Sequence, residues 1–345
     1  MIVGILLALV LFGIVVISHE LGHFLIAKKN GIEVEEFSVG MGPCIASKVM
    51  GGTKYSLRLL PIGGACMMGE DDPENISEGS FNSKSVWARI SVIAAGPVFN
   101  FILAFIFSAI LVAWVGCDPA VVSRISEGYA AEAAGLQAGD KIVKLNDKHI
   151  NIFREISMYN QLHPGEKVTV TYERDGKRHE AVLTPQMKEN DSYYRLGIEG
   201  GAYQKASAGQ VFQYGLYEVK YWICTTVDSL KMLLTGKIGA DSLAGPVGIV
   251  NVVEDTYQQS KPGGIGVVII NLMNFAVLLS ANLGVMNLLP FPALDGGRLV
   301  FLFFEAIRGK RVPPEKEGMV HLAGMVLLFG LMIFVMFNDI KRIIM

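Results

Sequence analysis

Apolar residues along this chain fall in long uncharged blocks, not in the short stripes of a soluble core. The blocks cover residues 1 to 17, resuming as far as 27, then 90 to 117, 262 to 294 and 318 to 338. A helix needs about 20 apolar residues to cross a bilayer core. The pattern therefore predicts four transmembrane helices. Pro290 and Pro292 are expected to end the third helix and leave a short extended stretch.

The first block could instead be a signal peptide. It has no basic residue after Met1, and no small-residue cleavage site follows Ile17. Signal peptides carry both features. We therefore expect a membrane anchor at the N-terminus.

Between the blocks the pattern changes to that of a soluble, β-rich segment over residues 118 to 187. Residues 167 to 172 and 181 to 183 alternate as the two strands of a hairpin do. Residues 54 to 60 also have strand character. Residues 208 to 235, rich in Tyr and Trp, predict an amphipathic helix at the membrane interface, with a soluble core helix as the alternative.

Composition agrees with the block pattern. The 345 residues are 51% hydrophobic and 18% charged, whereas about 25% of residues are charged in an average soluble domain. The low charged fraction therefore argues against an ordinary cytosolic enzyme. The net charge of −2 lacks the basic stripe of a nucleic-acid-binding protein. The cysteines, Cys44, Cys66, Cys117 and Cys224, show no CxxC spacing, which argues against a disulfide framework or a cysteine zinc site.

Basic residues in the short loops predict the orientation. Seven Lys and Arg residues lie between the first two apolar blocks and five between the last two. Loops rich in Lys and Arg stay in the cytoplasm. The N-terminus is therefore expected outside, with residues 118 to 261 on the outer face.

The first apolar block contains the sequence His19-Glu20-Leu21-Gly22-His23. Residues four apart share a helical face, so both imidazoles can bind one zinc ion while Glu20 reaches the water that zinc activates. At 1.5 Å per residue, His19 lies roughly 27 Å from the outer end of the helix, towards the cytoplasmic side. The alternative is a polar helix face that packs against polar partners, but ionisable residues inside a membrane usually mark function.

A catalytic zinc site generally needs a third protein ligand. Glu33, Glu35 and Glu36 follow the charged exit of the helix and are expected to be solvated. Asp295 is the better candidate, because it ends the third block on the side that His23 faces. The Asp-Gly-Gly sequence could also be a simple turn, which leaves Glu305 and His321 as fallback ligands.

These residues resemble the site-two protease family of intramembrane zinc metalloproteases, in particular its bacterial subgroup typified by the regulator-of-sigma-E protease. The resemblance covers nearly the whole chain. It rests on residues 19 to 23, 37 to 43, 55 to 58 with 61 to 64, Gly96-Pro97 with Asn100, Gly245-Pro246, and 287 to 297. Residues 134 to 146 are similar to a PDZ signature, although better-known members carry two PDZ modules where this chain has room for one. Ala65 to Met68 stand where an aromatic residue often follows the two glycines.

The resemblance implies a role for each matching residue. His19, His23 and Asp295 are expected to bind zinc, and Glu20 to be the catalytic acid and base. Asn100 and Asn287 are expected to help hold an unwound substrate near the metal. A membrane-dipping β-hairpin is expected to offer the substrate an edge strand. Its predicted substrate-binding residues are Tyr55, Ser56, Leu57, Gly63 and Gly64.

The expected fold is a polytopic α-helical membrane protein with four transmembrane helices, a β-hairpin and one extracytoplasmic, β-rich PDZ domain. The expected segments are 1–27 (first helix), 28–89 (cytoplasmic-side loop and hairpin), 90–116 (second helix), 117–187 (PDZ), 188–261 (linker and interfacial helix), 262–297 (third helix), 298–317 (cytoplasmic loop) and 318–345 (fourth helix and tail).

The expected function is cleavage of transmembrane segments in single-pass membrane proteins, such as anti-sigma factors and signal-peptide remnants, in regulated intramembrane proteolysis. The resemblance implies Zn²⁺ as cofactor and the bacterial cytoplasmic membrane as location. Expected partners are the lipid bilayer and, at the PDZ domain, a peptide C-terminus. Two alternatives from another class are a membrane zinc-binding transporter and a PDZ-bearing scaffold with a structural metal site.

Overall fold

The computed structural model describes residues 2–69, 77–188, 191, 193–201, 203–239 and 244–344. In chain order the elements are α1 (Ile2–Lys29), β1 (Val34–Met50), β2 (Thr53–Met68), α2 (Val86–Val115), β3 (Arg124–Ile125), α3 (Ala130–Ala133), β4 (Lys141–Leu145), β5 (Lys148–His149), α4 (Arg154–Leu162), β6 (Val168–Arg174), β7 (Lys177–Leu183), β8 (Ile198–Glu199), α5 (Ala208–Leu234), α6 (Pro246–Ser260), α7 (Ile265–Asn287), α8 (Asp295–Arg308) and α9 (Pro314–Ile344).

The chain divides into two compact units. A helical unit comprises residues 1–107 and 229–345, and a β-rich unit comprises residues 108–228. Among the described residues, four helices are long and apolar enough to cross a membrane, namely α1, α2, α7 and, within α9, Glu315–Lys341. The four predicted spans are therefore confirmed as helices of sufficient length and hydropathy.

Two further helices of the helical unit were not predicted. The first turn of α8 follows directly on the irregular residues 288–294, and α8 runs to Arg308 through half of the expected 298–317 loop. The second, α6, occupies the expected 188–261 linker. Both helices are shorter and more polar than the four long ones, so hydropathy alone did not separate them from loops. The helix of the third apolar block, α7, ends at Asn287, before Pro290, as predicted.

The strands β1 and β2 form an antiparallel hairpin that folds back on itself. Residues 34–39 pair on one side with 64–68 and on the other with 54–57, while residues 44–50 pair with 53–58. The hairpin thus contains four short segments. Within the part of the chain that the structure describes, no other strand pairs with the segment 64–68, so this segment is an edge.

The β-rich unit has a four-stranded sheet in the order β5-β4-β6-β7 and a core of buried aliphatic residues that includes Ile142, Leu145 and Val170. The predicted hairpin is present as β6 and β7. The expected end at residue 187 is too early, because β8 pairs with β3 and Leu196 belongs to the same core. The predicted amphipathic helix at 208–235 is α5, and its place at a membrane interface stays a prediction.

Candidate metal centre

Two histidines of α1 and one aspartate of α8 meet inside the helical unit. His19 and His23 are one helical turn apart, and their Nε2 atoms lie 3.1 Å from each other. The Oδ2 atom of Asp295 lies 3.1 Å from Nε2 of His19 and 3.4 Å from Nε2 of His23. Both histidines are buried. The three side chains therefore direct one ligand atom each towards a common point.

Asp295 reaches this point because the chain turns sharply after α7. Asp295 is the first residue of α8, and Gly296 follows it in close contact with the preceding turn. A Cβ atom on Gly296 would lie 2.1 Å from the carbonyl oxygen of Leu289. The turn and the ligand are therefore not alternatives: the turn requires glycine and thereby places the aspartate.

The helix α2 packs closely against the two histidines. A Cβ atom on Gly96 would lie 2.3 Å from Nε2 of His23, so only glycine fits there. The Nδ1 atom of His23 lies 2.9 Å from the carbonyl oxygen of Val92, to which it donates. A neutral imidazole with its proton on Nδ1 has a free lone pair on Nε2. Val92 acts through its backbone, which no side-chain motif could have revealed.

His19 is oriented by Asn100, whose side chain is fully buried. The Nδ2 atom of Asn100 lies 3.3 Å from Nδ1 of His19, and its Oδ1 atom has no hydrogen-bond partner in the described residues. The two ends of an amide are assigned from their partners. Turning this amide by 180° lets Oδ1 accept from Nδ1–H of His19, which frees Nε2 as a ligand. The contact shown is thus with His19, and the predicted contact of Asn100 with substrate stays a prediction.

The donor set fits zinc. Nitrogen and oxygen ligands at about 2.0–2.1 Å around a tetrahedral ion lie roughly 3.3 Å apart, close to the observed 3.1–3.4 Å. The Oδ2 atom of Asp295 is buried without a hydrogen-bond partner in the described residues. Two imidazole lone pairs and one carboxylate oxygen would repel each other without a cation between them. His19, His23 and Asp295 would therefore hold the ion and leave a fourth position open.

Glu20 lies beside the hairpin edge. Its Cγ atom is 3.1 Å from the position of a Cβ on Gly64, in the edge segment 64–68. A side chain at residue 64 would press on Glu20, so glycine lets the backbone of the edge approach this carboxylate. The hairpin edge thus lies next to Glu20, and its predicted role of offering a strand to the substrate stays a prediction.

The other predicted substrate-binding residues of the hairpin differ in what they contact. The ring of Tyr55 packs on Phe24 of α1, with centroids 5.9 Å apart. Ser56 is buried and donates to Glu36, which also accepts from Arg58 at 2.7 Å. Hydrogen bonds from Ser56 and then Arg58 lower the pKa of Glu36. Tyr55 and Ser56 therefore stabilise the hairpin, and their predicted contact with substrate is untested.

The remaining predicted residues are more open. Leu57 is exposed, Gly63 has a positive φ of 81°, and Asn287 is half-buried at the C-terminal end of α7. The side chain of Asn287 makes no hydrogen bond with any other described residue, so its amide is available to a peptide backbone.

The fallback ligands lie elsewhere. Both carboxylate oxygens of Glu305 accept from the guanidinium of Arg89. The Nδ1 atom of His321 accepts from the backbone N–H of Ala293 at 2.9 Å. Neither side chain belongs to the cluster that His19, His23 and Asp295 form. Asp295 is thus the third candidate ligand.

Comparison with known proteins gives consistent relatives. Residues 7–331 match the model of peptidase family M50. A putative zinc metalloprotease of Clostridium acetobutylicum is 38% identical over 98% of this chain and 97% of its own length. Zinc metalloprotease RasP of Geobacillus kaustophilus is 33% identical, with 97% of each chain covered. The regulator of sigma-W protease RasP of Bacillus subtilis is 32% identical, again with 97% of each covered.

One solved structure, the PDZ domain of an SdrC-like protein from Listeria monocytogenes, is also similar. It is 19% identical, covers 25% of this chain and 88% of that chain, and has a TM-score of 0.21. This likeness is too weak to assign the fold of residues 108–228.

Proposed function

The chain belongs to peptidase family M50 and is a zinc metalloprotease, and from this premise we propose that it cleaves peptide bonds within transmembrane segments of single-pass membrane proteins. One observation carries the proposal. The cluster of the buried His19 and His23 with the partly buried Asp295 lies on helices of a unit whose described residues include four helices long and apolar enough to cross a membrane. A peptide bond cut there would have to enter the bilayer region.

Each residue of the site has a distinct role in this proposal. His19, His23 and Asp295 hold the zinc ion, and Asn100 and Val92 fix the two imidazoles. When bound, zinc supplies Lewis acidity that lowers the pKa of water and polarises a peptide carbonyl. Glu20 coordinates nothing in this arrangement, so its carboxylate is free to take a proton from water and pass it to the leaving amine.

A transmembrane substrate must lose its helix before hydrolysis. In a helix its peptide groups are hydrogen-bonded internally, and unpaired groups are costly in a bilayer. The edge segment 64–68 offers replacement hydrogen bonds right beside Glu20. The free amide of Asn287 would hold the unwound chain near the metal. Gly63, Tyr55, Ser56 and Leu57 would shape the same hairpin.

The substrate class and location are part of the proposal. The relative from Bacillus subtilis is named a regulator of sigma-W protease, which supports anti-sigma factors as substrates, with signal-peptide remnants as a second class. Basic residues in the short loops support a site towards the cytoplasmic side of the bacterial cytoplasmic membrane. The β-rich unit would then be extracytoplasmic and, as a PDZ domain, would admit substrates by size or bind a new C-terminus.

The family assignment disfavours the alternatives, a zinc transporter and a scaffold with a structural metal. Glu20 argues in the same direction, because a purely structural site has no use for a non-ligating carboxylate beside it.

Cleavage of membrane-anchored fusion proteins by the purified, zinc-loaded chain tests the function. Glu20→Gln is expected to keep its zinc and to lose activity by at least about 100-fold, since Glu20 is the general base. Glu35→Gln, which changes an exposed glutamate, is the matched control and should cleave normally. Equal cleavage by Glu20→Gln and the unchanged protein, with equal zinc, would refute the proposed mechanism.

A further inference from the structure

A cavity of about 290 Å³ in the helical unit is lined by residues just before and at the start of α2, from α8, from the connection after α8 and from the start of α9. Its lining includes three arginines, Arg89, Arg298 and Arg311, together with Glu317 and His321. Pockets for small organic ligands usually measure about 300–1,000 Å³. This cavity is thus of a size for a single small polar group, and its charged lining is unlike that of an apolar pocket.

Arg89 is already paired. Its guanidinium donates to both carboxylate oxygens of Glu305, one of them at 3.1 Å, and its side chain is buried. A two-point ion pair of this kind neutralises both partners and fixes their orientation. Arg89 therefore forms a rigid wall of the cavity and contributes little free charge.

Arg298 and Arg311 are not paired. The guanidinium of neither residue makes a hydrogen bond or an ion pair with any residue that the structure describes, although both line the cavity. Glu317 is the only acidic side chain of the lining. With Glu305 taken up by Arg89, two arginines face one glutamate, and the cavity keeps a net positive charge.

His321 adds an unused donor. Its Nδ1 atom accepts a hydrogen bond from the backbone N–H of Ala293 at 2.9 Å, so a neutral imidazole must carry its proton on Nε2. The Nε2 atom is buried and has no hydrogen-bond partner in the described residues. The carboxylate of Glu317 is 3.9 Å away, which is too far for a hydrogen bond. A buried N–H of this kind lacks the acceptor that such groups normally have.

We propose that this cavity binds a phosphate group through the guanidinium groups of Arg298 and Arg311 and the Nε2–H of His321. Arginine forks match the oxygens of phosphate, and a neutral imidazole N–H donates to the same kind of acceptor. Two sources present this chemistry, the headgroup of an anionic phospholipid and free phosphate. Neither the zinc ligands nor Glu20 belongs to the lining, so the proposal does not depend on the proposed function.

Occupancy would also affect the segment before Asp295. The ring of His321 accepts a hydrogen bond from the backbone N–H of Ala293. Ala293 has a positive φ of 74° although it is not a glycine. Such a conformation is strained and needs support from its surroundings. An anion bound to Nε2–H fixes the ring and thereby supports the backbone two residues before the zinc ligand.

The test uses the full-length, zinc-loaded protein in neutral detergent. In one arm inorganic phosphate is titrated at constant ionic strength and followed by ³¹P NMR. In the other arm the protein is placed in nanodiscs of phosphatidylcholine with or without phosphatidylglycerol, and retained lipid is counted by native mass spectrometry. We expect saturable binding of one equivalent in at least one arm, and the arm that responds identifies the source.

Variants of opposite charge change give the decisive comparison. Arg311→Gln should weaken binding by about tenfold, the loss expected for one charge-assisted hydrogen bond. Glu317→Gln should tighten it, because the acidic lining residue is gone. Lys310→Gln removes a neighbouring exposed charge that does not line the cavity and should bind like the unchanged protein.

The proposal is wrong if neither arm shows saturable binding, or if all three variants bind alike. Binding should persist in the catalytically inactive Glu20→Gln, which separates this result from any failure of the proposed function.

Discussion

In the β-rich unit the guanidinium of Arg154 lies 2.6 Å from Glu218 and is also stacked near the rings of Tyr221 and Trp222. In the helical unit His19 and His23 are buried and Asp295 is partly buried, but the three side chains turn only acceptor atoms towards each other. The first cluster contains its own counter-charge. The second lacks one, and its Asp295 Oδ2 has no hydrogen-bond partner in the described part of the chain.

The difference separates a structural cluster from a candidate metal site. A buried charge that is paired and hydrogen-bonded is tolerated, whereas convergent unpaired acceptors are costly until a cation joins them. Both clusters contain ionisable side chains at low exposure. Burial therefore distinguishes them less well than the balance of donors and acceptors, and this balance can be changed one residue at a time.

Replacing Asp295 by Ala should have the largest effect. The change removes one of the three proposed zinc ligands. Loss of a residue that merely supports a ligand costs about 10–100-fold in metal affinity, so loss of a ligand should cost more than about 100-fold. Zinc content after dialysis and cleavage of a membrane-anchored fusion are the measurements. Asp255→Ala, at an exposed position of α6, is the control. Undiminished zinc in Asp295→Ala would mean that another residue completes the site.

Removing the counter-charge in the β-rich unit should destabilise that unit without touching zinc. Arg154→Met leaves the buried carboxylate of Glu218 unpaired, and breaking a buried pair costs about 3–5 kcal/mol. The free energy of unfolding can be followed by hydrogen exchange in β4 and β6. The double variant Arg154→Met/Glu218→Leu should recover most of the loss, because neither charge remains.

Arg178→Met is the matched control for this experiment. Arg178 pairs with Glu173 at 3.2 Å on the exposed surface, where ion pairs contribute about 1 kcal/mol or less. If Arg178→Met destabilised the unit as much as Arg154→Met, burial of the pair would not be the reason for the larger effect.

The orientation of Asn100 is the next test. Asn100→Leu leaves Nδ1–H of His19 without an acceptor, and zinc affinity should fall by about 10–100-fold. Asn100→Asp keeps an acceptor and should retain zinc. A competition titration with a zinc chelator measures both. Equal losses in the two variants would show that the amide presents Nδ2, not Oδ1, to His19.

Much of the site could be predicted from the sequence because its parts are local. His19, Glu20 and His23 lie within one helical turn, and the apolar blocks that surround them are continuous. The link to Asp295 was harder, since 276 positions separate it from His19. Its place at the end of the third block, on the side that His23 faces, favoured it, while Glu305 and His321 stayed open as fallback ligands.

What the sequence did not predict depends on contacts between distant segments. The charges of α8 indicated a loop by the same rule that predicted the orientation, although Leu299 and Leu302 pack against Ile93 of α2 and stabilise a helix. The contact of Asn100 with His19 could not be predicted from a motif either, because the two residues lie 81 positions apart. The sequence also did not show that the β-rich unit extends beyond residue 187, because the two-residue strand β8 is too short to produce a pattern.

The smallest effect is expected from pH on the β-rich unit. Burial raises the pKa of Asp140, but hydrogen bonds from Arg174 and the backbone N–H of Gln137 outweigh it, and the pKa is lowered overall. A carboxyl whose folded pKa lies below its unfolded value of about 3.9 stabilises the fold above that pH. This contribution is lost as pH falls through the folded pKa.

Asp140→Asn should therefore be less stable than the unchanged chain at neutral pH, by about 1 kcal/mol because Arg174 reaches solvent and the pair is partly screened. The difference should shrink between about pH 5 and pH 3, since the unchanged chain loses the contribution that the variant never had. Hydrogen exchange in β4 and β6 over this pH range measures this difference in stability.

Asp175→Asn, in the exposed turn after Arg174, is the control, and its stability should differ from that of the unchanged chain by the same amount at every pH in this range. A gap between Asp140→Asn and the unchanged chain that did not narrow in acid would show that the carboxyl acts by shape and not by charge. The contrast between a self-neutralising cluster and a cation-requiring one would then lose its electrostatic basis in the β-rich unit.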